Sequence, residues 1–331
     1  MKKTFVIAEM ACSHDGSVDL ARKIIDGAID AGADAIQFQI WRHENMVVPS
    51  HPDIDLLRKI ELSHEEWRGL ADYVRQKSNE MEIIACVYDS EAADFAREIN
   101  VDAFKIHTAD LSNEKFIRHV AGQGKRIDLS VGASTYSEIS DAVQWIRNSG
   151  DVDIWLMYGK QLFPTAVEDS EILQAVTIGE AFDLPVGYQD HSDADTMEAF
   201  WLPIAARGAG LWIQEKHITH DRSLKGTDHQ AALNPDEFKR FVEAIRTVDA
   251  ALGDGRPHPF SEAEKKYRVY SKKSIVVKHD LPARHVVKDD DVVFLRATEL
   301  GVPPDKLDQV LGRKLSTDLR AFSVLNYEDL S

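Results

Sequence analysis

Short runs of β-branched and apolar residues alternate along this chain with longer stretches whose apolar residues recur every three to four positions. The short runs predict strands over Thr4–Ala11, Ala35–Ile40, Glu82–Val87, Ala103–Ile106, Arg126–Ser130, Asp153–Tyr158, Val186–Gln189 and Gly210–Lys216. The periodic stretches predict helices over Asp19–Ala31, His64–Ser78, Glu91–Ile99, Asn113–Ala121, Tyr136–Asn148, Ser170–Phe182, Asp193–Arg207 and Pro235–Leu252. Strand followed by helix, over and over, is the pattern of parallel βαβ units. Eight units before a break predict a closed (β/α)8 TIM barrel. The alternative, an open dinucleotide-binding sheet, needs a glycine-rich turn after the first strand, and Ala11-Cys12-Ser13-His14-Asp15-Gly16 is not one.

The break falls at Gly253-Asp254-Gly255-Arg256-Pro257-His258-Pro259, where glycine and proline punctuate a linker. Beyond it the strand candidates are shorter and closer together: Ser274–Lys278, Val292–Arg296 and a closing Gly312–Ala321. The expected organisation is a barrel over 1–252, a linker over 253–266 and a small separate domain, denser in strands, over 267–331.

Composition agrees with this plan. At 44% hydrophobic, 331 residues are enough for a barrel core plus a small appendage. The formal charge of −17 repels nucleic acid and anionic lipid, so neither is expected as a partner. A locally positive site can still take an anionic substrate. The apolar run at the start stops at Glu9, too short for the core of a secretory signal. No stretch approaches the ~18 apolar residues of a membrane span. Cys12 and Cys86 do not make a disulfide framework. A cytoplasmic protein is expected.

In a parallel barrel the chemistry gathers at the carboxyl ends of the strands. Polar residues cluster at those ends here: Glu9, Ser13 and His14; Gln37, Gln39 and Arg42; Lys105, His107, Thr108 and Asp110; Ser130; Lys160 and Gln161; Gln189, Asp190 and His191; Glu215, Lys216 and His217; then Asp228 and His229. Any one of these can serve only to satisfy loop backbone, but the whole set meets on one rim. His191 and His217 end adjacent strands, so they form a candidate pair of ligands for a divalent ion with open positions. The alternative is two hydrogen-bonded rim histidines among the thirteen in the chain. Lys105 points into the same rim, where a lone ammonium needs an anion or a carboxylate. It is a candidate anion binder or, as in a class I aldolase, a Schiff-base lysine.

Several segments resemble the sialic acid (N-acetylneuraminate) synthase family, including its legionaminic and pseudaminic acid synthases. They are Ile7-Ala8-Glu9 with His14-Asp15-Gly16-Ser17, the strand-four run Phe104 to Asp110, Gly187-Tyr188-Gln189-Asp190-His191, and Glu215-Lys216-His217-Ile218-Thr219 followed by Gly226-Thr227-Asp228-His229. The tail resembles the family's antifreeze-like (SAF, β-clip) domain, with Arg320 where the family has its closing arginine. The resemblance implies condensation of phosphoenolpyruvate with an N-acyl hexosamine aldehyde and release of phosphate. It implies a divalent cofactor, Mn2+ or Mg2+, on His191 and His217. It implies catalytic roles for Glu9, Lys105 and Asp228, with Glu9 and Asp228 on the sugar and Lys105, Thr108 and Ser130 on phosphoenolpyruvate. Gln37, Gln39, Asp110, Lys160, Gln161 and Asp190 complete the expected substrate-binding set. Arg320 would act on the barrel of a partner, in a domain-swapped homodimer.

Three segments depart from the family pattern. Gln37-Phe38-Gln39 stands where the family has a lysine, an aromatic residue and glutamine. Ala85-Cys86-Val87-Tyr88 replaces a Ser-Thr-Pro-Phe run, and Gly159-Lys160-Gln161 replaces a short polar run before the Phe163-Pro164 step. Lys160 or Arg42 could supply the lost cation. Otherwise the departures point to a different acceptor or donor, or to a non-condensing metal-dependent barrel enzyme or sugar-binding protein.

Overall fold

A computed structural model describes residues 2–331. The chain divides into two compact units, the first ending at Gly255 and the second running Arg256–Ser331.

The first unit is a closed barrel of eight parallel strands in sequence order, and the expected TIM barrel is present. They are β1 (Phe5–Glu9), β2 (Ala35–Ile40), β3 (Glu82–Val87), β4 (Ala103–Ile106), β5 (Arg126–Ser130), β6 (Ile154–Tyr158), β7 (Val186–Asp190) and β8 (Ile213–His217). The large helices between and after them are α1 (Val18–Ala31), α4 (His64–Lys77), α5 (Ser90–Glu98), α6 (Glu114–Ala121), α7 (Tyr136–Arg147), α8 (Ile172–Phe182), α9 (Glu198–Gly208) and α10 (Pro235–Leu252). Two short helices, α2 (His43–Met46) and α3 (Ile54–Ile60), sit in the loop after β2. Local chemistry sets the helix starts: Ser63, Thr135 and Asn234 each close a capping box with the glutamate three residues on.

Alternation along the strands sorts side chains into two cores. Outward-facing Ile36, Phe38, Ile40, Ile83, Phe104 and Leu129 join the helices in the main apolar cluster. Inward-facing Ile7, Ala35, Ile84, Ala103, Met157 and Ile213 fill the barrel's middle. Below them Arg126 lies 3.9 Å over the Trp155 ring and binds Asp128 and Glu82, closing the floor. Among the described residues, the end left open is the one bearing the strands' carboxyl termini.

The second unit begins with α11 (Glu262–Ser271), followed by an antiparallel pair, β9 (Lys273–Val277) and β10 (Val292–Arg296). Its own core includes Ile275, Val277, Val287, Val292, Val310 and Leu325. Three expectations are corrected. Gly312–Ala321 is not a strand; it makes isolated bridges at Lys314, Leu315 and Leu319. The α11 helix occupies part of the expected linker; it buries no residue, so it has no apolar stripe to read. The helix expected from Asp193 starts at Glu198, because Asp193 turns the chain by accepting the Asp195 N–H.

Candidate active site

The open end holds a cavity lined by Glu9, Gln39, Tyr88, Lys105, His107, Gln161, Phe163, Gln189, His191, Glu215, His217 and Asp228. Every strand except β5 supplies a liner from its last residues or the loop just beyond. Two glycine positions make the rim possible. A Cβ at Gly159 would lie 2.2 Å from the Gln189 carbonyl oxygen, and one at Gly226 would lie 2.2 Å from Asp15 Oδ2. At Gly159 the clash is with backbone, so only hydrogen fits and the loop after β6 can pack against β7; at Gly226 the Asp15 side chain would have to move aside.

A buried charge cluster forms the cavity floor. Lys105 Nζ donates to both Glu215 oxygens, at 2.6 and 2.8 Å, and stands 3.9 Å from Glu9 Oε2. The three side chains are no more than 4% exposed. Gln189 donates to Glu215 Oε1 at 3.0 Å and accepts from Ser130 Oγ at 3.0 Å, so Ser130 reaches the floor through Gln189. Glu9 Oε1 accepts from the Ala11 N–H at 2.6 Å and from Gln39 Nε2 at 3.4 Å, and Tyr88 donates to Gln39. Glu9 Oε2 is buried without a hydrogen bond.

Two carboxylates face one ammonium here, and burial acts most strongly on Glu9. Burial raises the Glu9 carboxyl; Lys105 pulls it down, Glu215 pushes it up again, and the result is about 8. Glu9 is therefore a neutral acid at pH 7, and its unpartnered oxygen can carry the proton. Burial opposes the charge on Lys105, but Glu215 and Glu9 beside it hold its pKa above the ordinary lysine value. A Schiff-base lysine must lose its proton to attack a carbonyl, so this arrangement does not favour the class I aldolase alternative. Asp228, in left-handed conformation at φ 62°, accepts from the Cys12 N–H at 3.2 Å. Burial raises its carboxyl too.

His191 and His217 come together at the rim with ring centroids 5.3 Å apart and planes at 82°. His191 Nδ1 bonds the Lys160 carbonyl at 2.7 Å, which fixes that nitrogen as a donor and leaves Nε2 a lone pair. His217 Nδ1 is buried with no hydrogen bond. Burial lowers both imidazoles, His217 well below its ordinary value, so both are neutral. Two histidines binding one ion at ~2.1 Å have centroids about 4.5–5.5 Å apart, and this pair fits. Among the described residues no three His, Cys, Asp or Glu side chains form a metal cage. A bound ion would keep positions open for water or substrate, as a Lewis acid needs.

Other expected residues lie off the cavity. Asp190 follows inward-facing Gln189, so it points outward and binds Lys216 at 2.6 Å. Gln37 faces inward in β2 but lies fully buried, with both amide atoms unpartnered. Thr108 donates to the Gly132 carbonyl and meets Ser134 at 3.0 Å, while Asp110 accepts from Asn113. Lys160 is held by Glu171, and Arg42 by Glu61 at 2.7 Å. Arg320, in the second unit, is exposed, and its guanidinium has no hydrogen bond or ion pair among the described residues. Tyr88 and Phe163 also line the cavity; in the sequence they stand only within two segments that depart from the family pattern. Phe163 packs its ring 4.3 Å from that of His191.

The profile of the NeuB family matches residues 24–257, and that of the SAF domain residues 272–331. The chain belongs to the NeuB family. The family read from the motifs is thus the one the chain belongs to, and the chain is an enzyme. It is 28% identical to the N,N'-diacetyllegionaminic acid synthase of Legionella pneumophila, over 98% of this chain and 94% of that one. It is also 28% identical to a pseudaminic acid synthase of Campylobacter jejuni, over 99% and 97%. Its fold is similar to that of a Leptospira borgpetersenii N-acetylneuraminic acid synthetase in complex with citrate, with a TM-score of 0.72 and 28% identity, covering 81% of this NeuB-family chain and 92% of that protein.

Proposed function

We propose that this NeuB-family enzyme condenses phosphoenolpyruvate with the open-chain aldehyde of an N-acyl hexosamine, forming a nonulosonic acid and releasing phosphate. The observation that carries the reading is the neutral Glu9 beside the Lys105–Glu215 pair, under two neutral histidines, in a chain whose full-length relatives are acid synthases. C3 of the donor bonds to the aldehyde carbon. Water adds to C2, the C2–O–phosphate bond breaks, and the carbonyl forms as the added hydroxyl loses its proton. Glu9 delivers a proton to the aldehyde oxygen as that oxygen gains charge. Lys105, held charged, faces the anionic donor, and Gln39 and Gln161 orient the substrates. Asp228 holds a sugar hydroxyl. His191 and His217 would hold Mn2+ or Mg2+, which when bound supplies Lewis-acid polarisation of the sugar carbonyl.

The protein would work in the cytoplasm, where phosphoenolpyruvate is made; among the described residues no helix is long and apolar enough to cross a membrane. A second copy of the chain would cover the exposed Leu162, Val167, Leu173, Met197 and Trp201, and Arg320 would act in trans within that dimer. The buried, unpartnered Gln37 favours a second reading, a donor less charged than phosphoenolpyruvate. Incubation with phosphoenolpyruvate, Mn2+ and a panel of N-acyl hexosamines distinguishes the two. Release of phosphate that needs both donor and sugar supports the first reading. A sugar-dependent product formed only from pyruvate or another donor replaces it with the second.

A further inference from the structure

The histidines at the cavity have outward-facing neighbours that the cavity chemistry does not use. Asp190 precedes His191, and Lys216 precedes His217. Adjacent strand residues face opposite sides, so inward imidazoles place these two on the outer face of the barrel. They are register partners across β7 and β8, and Asp190 Oδ2 meets Lys216 Nζ at 2.6 Å. The carboxylate also accepts from Ser192 Oγ at 2.7 Å and from Tyr188 OH at 3.3 Å. Lys216 is 0% and Asp190 1% exposed.

Stability alone explains such a pair poorly. Taking both charges out of water costs about what their attraction returns, and well-packed apolar side chains often do as well or better. What apolar side chains cannot reproduce is direction. A hydrogen-bonded ion pair between register partners resists sliding and twisting of one strand end against the other. Each strand end is also tied one residue later: the His191 carbonyl accepts from Thr165 N and the His217 carbonyl from Leu233 N, both at 2.9 Å. The imidazoles thus project from strand ends clamped on the opposite face.

We propose that Asp190 and Lys216 are positioning residues that hold His191 and His217 at the separation needed to share one divalent ion. This rests on the metal reading of those histidines given above. Residues that orient metal ligands typically contribute ten- to hundredfold to affinity. The pair acts through strand geometry rather than by touching the rings, so about tenfold is expected.

The test is Mn2+ titration of the full-length protein followed by electron paramagnetic resonance, with a thermal melt of each variant and the visible spectrum of the Co2+ form. In Asp190→Leu combined with Lys216→Met, a role in stability alone predicts unchanged Mn2+ affinity and an unchanged Co2+ spectrum whatever the melt, and that result overturns the proposal. The proposal predicts a folded variant with Mn2+ binding weakened about tenfold and an altered Co2+ spectrum. If the double variant does not fold, Ser192→Ala decides. It removes one hydrogen bond to Asp190 and no charge, and it is expected to weaken Mn2+ two- to threefold; no change there counts against the proposal. Wild-type protein that binds no Mn2+ removes the metal reading and this inference together, whereas binding that the variants leave untouched removes the inference alone.

Discussion

Glu9, Lys105 and Glu215 are enclosed together in one floor, where burial and the neighbouring Glu215 raise the Glu9 carboxyl against the pull of Lys105. Glu9 is protonated below about pH 8 and loses its proton above it. A reaction that needs its acid form therefore holds its rate at neutral pH and declines as pH rises through about 8. The pH dependence of kcat/KM on the free enzyme reads this directly. Glu9→Gln keeps the shape and one donor but has no transferable proton. It should lower kcat by ~10²- to 10⁴-fold and abolish the alkaline decline. A Glu9→Gln enzyme that keeps both rate and alkaline decline would show that another group moves the proton. Parts of this site were readable from residue type and strand-end position alone. Glu9, Lys105, the two histidines and Asp228 all reach the cavity. The Lys105–Glu215 pair was not readable, because its members are 110 residues apart and only barrel closure brings them together. The elevated Glu9 carboxyl follows from that closure and was hidden with it.

At the scale of elements, the barrel strands carry strong local signals. The bounds of β2, β3, β4 and β5 coincide with their apolar runs because both faces of each strand are buried. Elements without a buried face gave no such signal: α2 buries no residue and α3 only Ile60, and both lay hidden in the loop after β2. The tail segment 312–321 has apolar residues spaced like a strand, yet its backbone pairs only at single bridges in a small unit built from turns. Asp190 shows how much one residue of strand parity matters. Its neighbours Gln189 and His191 face the cavity, so it faces outward. The most exacting contact between elements is at Gly159. Gly159→Ala would drive a methyl group to 2.2 Å from the Gln189 backbone oxygen and 2.8 Å from Gln189 Cβ, so β6 and β7 must separate. A loss of ~1–3 kcal/mol is expected, as for overpacked cores. Urea unfolding measures it, and wild-type stability would mean the loop relaxes freely.

For the molecule as a whole, each unit has its own core, so the division of labour between them can be tested by exchange. Arg320 is exposed in the second unit with no partner among the described residues. If it serves the barrel of a second copy, mixing Arg320→Ala with Glu9→Gln should restore activity through hybrid dimers, up to about a quarter of the wild-type level at equal mixing. Proven subunit exchange without any recovery would place Arg320 in its own subunit's site or outside the reaction. In the proposed reaction phosphate leaves by cleavage of the bond to C2 after the new carbon–carbon bond has formed. The most direct measurement uses phosphoenolpyruvate carrying ¹⁸O in the bridging C–O–P position, incubated with Mn2+, an N-acyl hexosamine and the enzyme. The proposed route puts all of the label in inorganic phosphate and takes the new ketone oxygen from water. Label retained in the nine-carbon acid, or in pyruvate formed without any carbon–carbon bond, would contradict it.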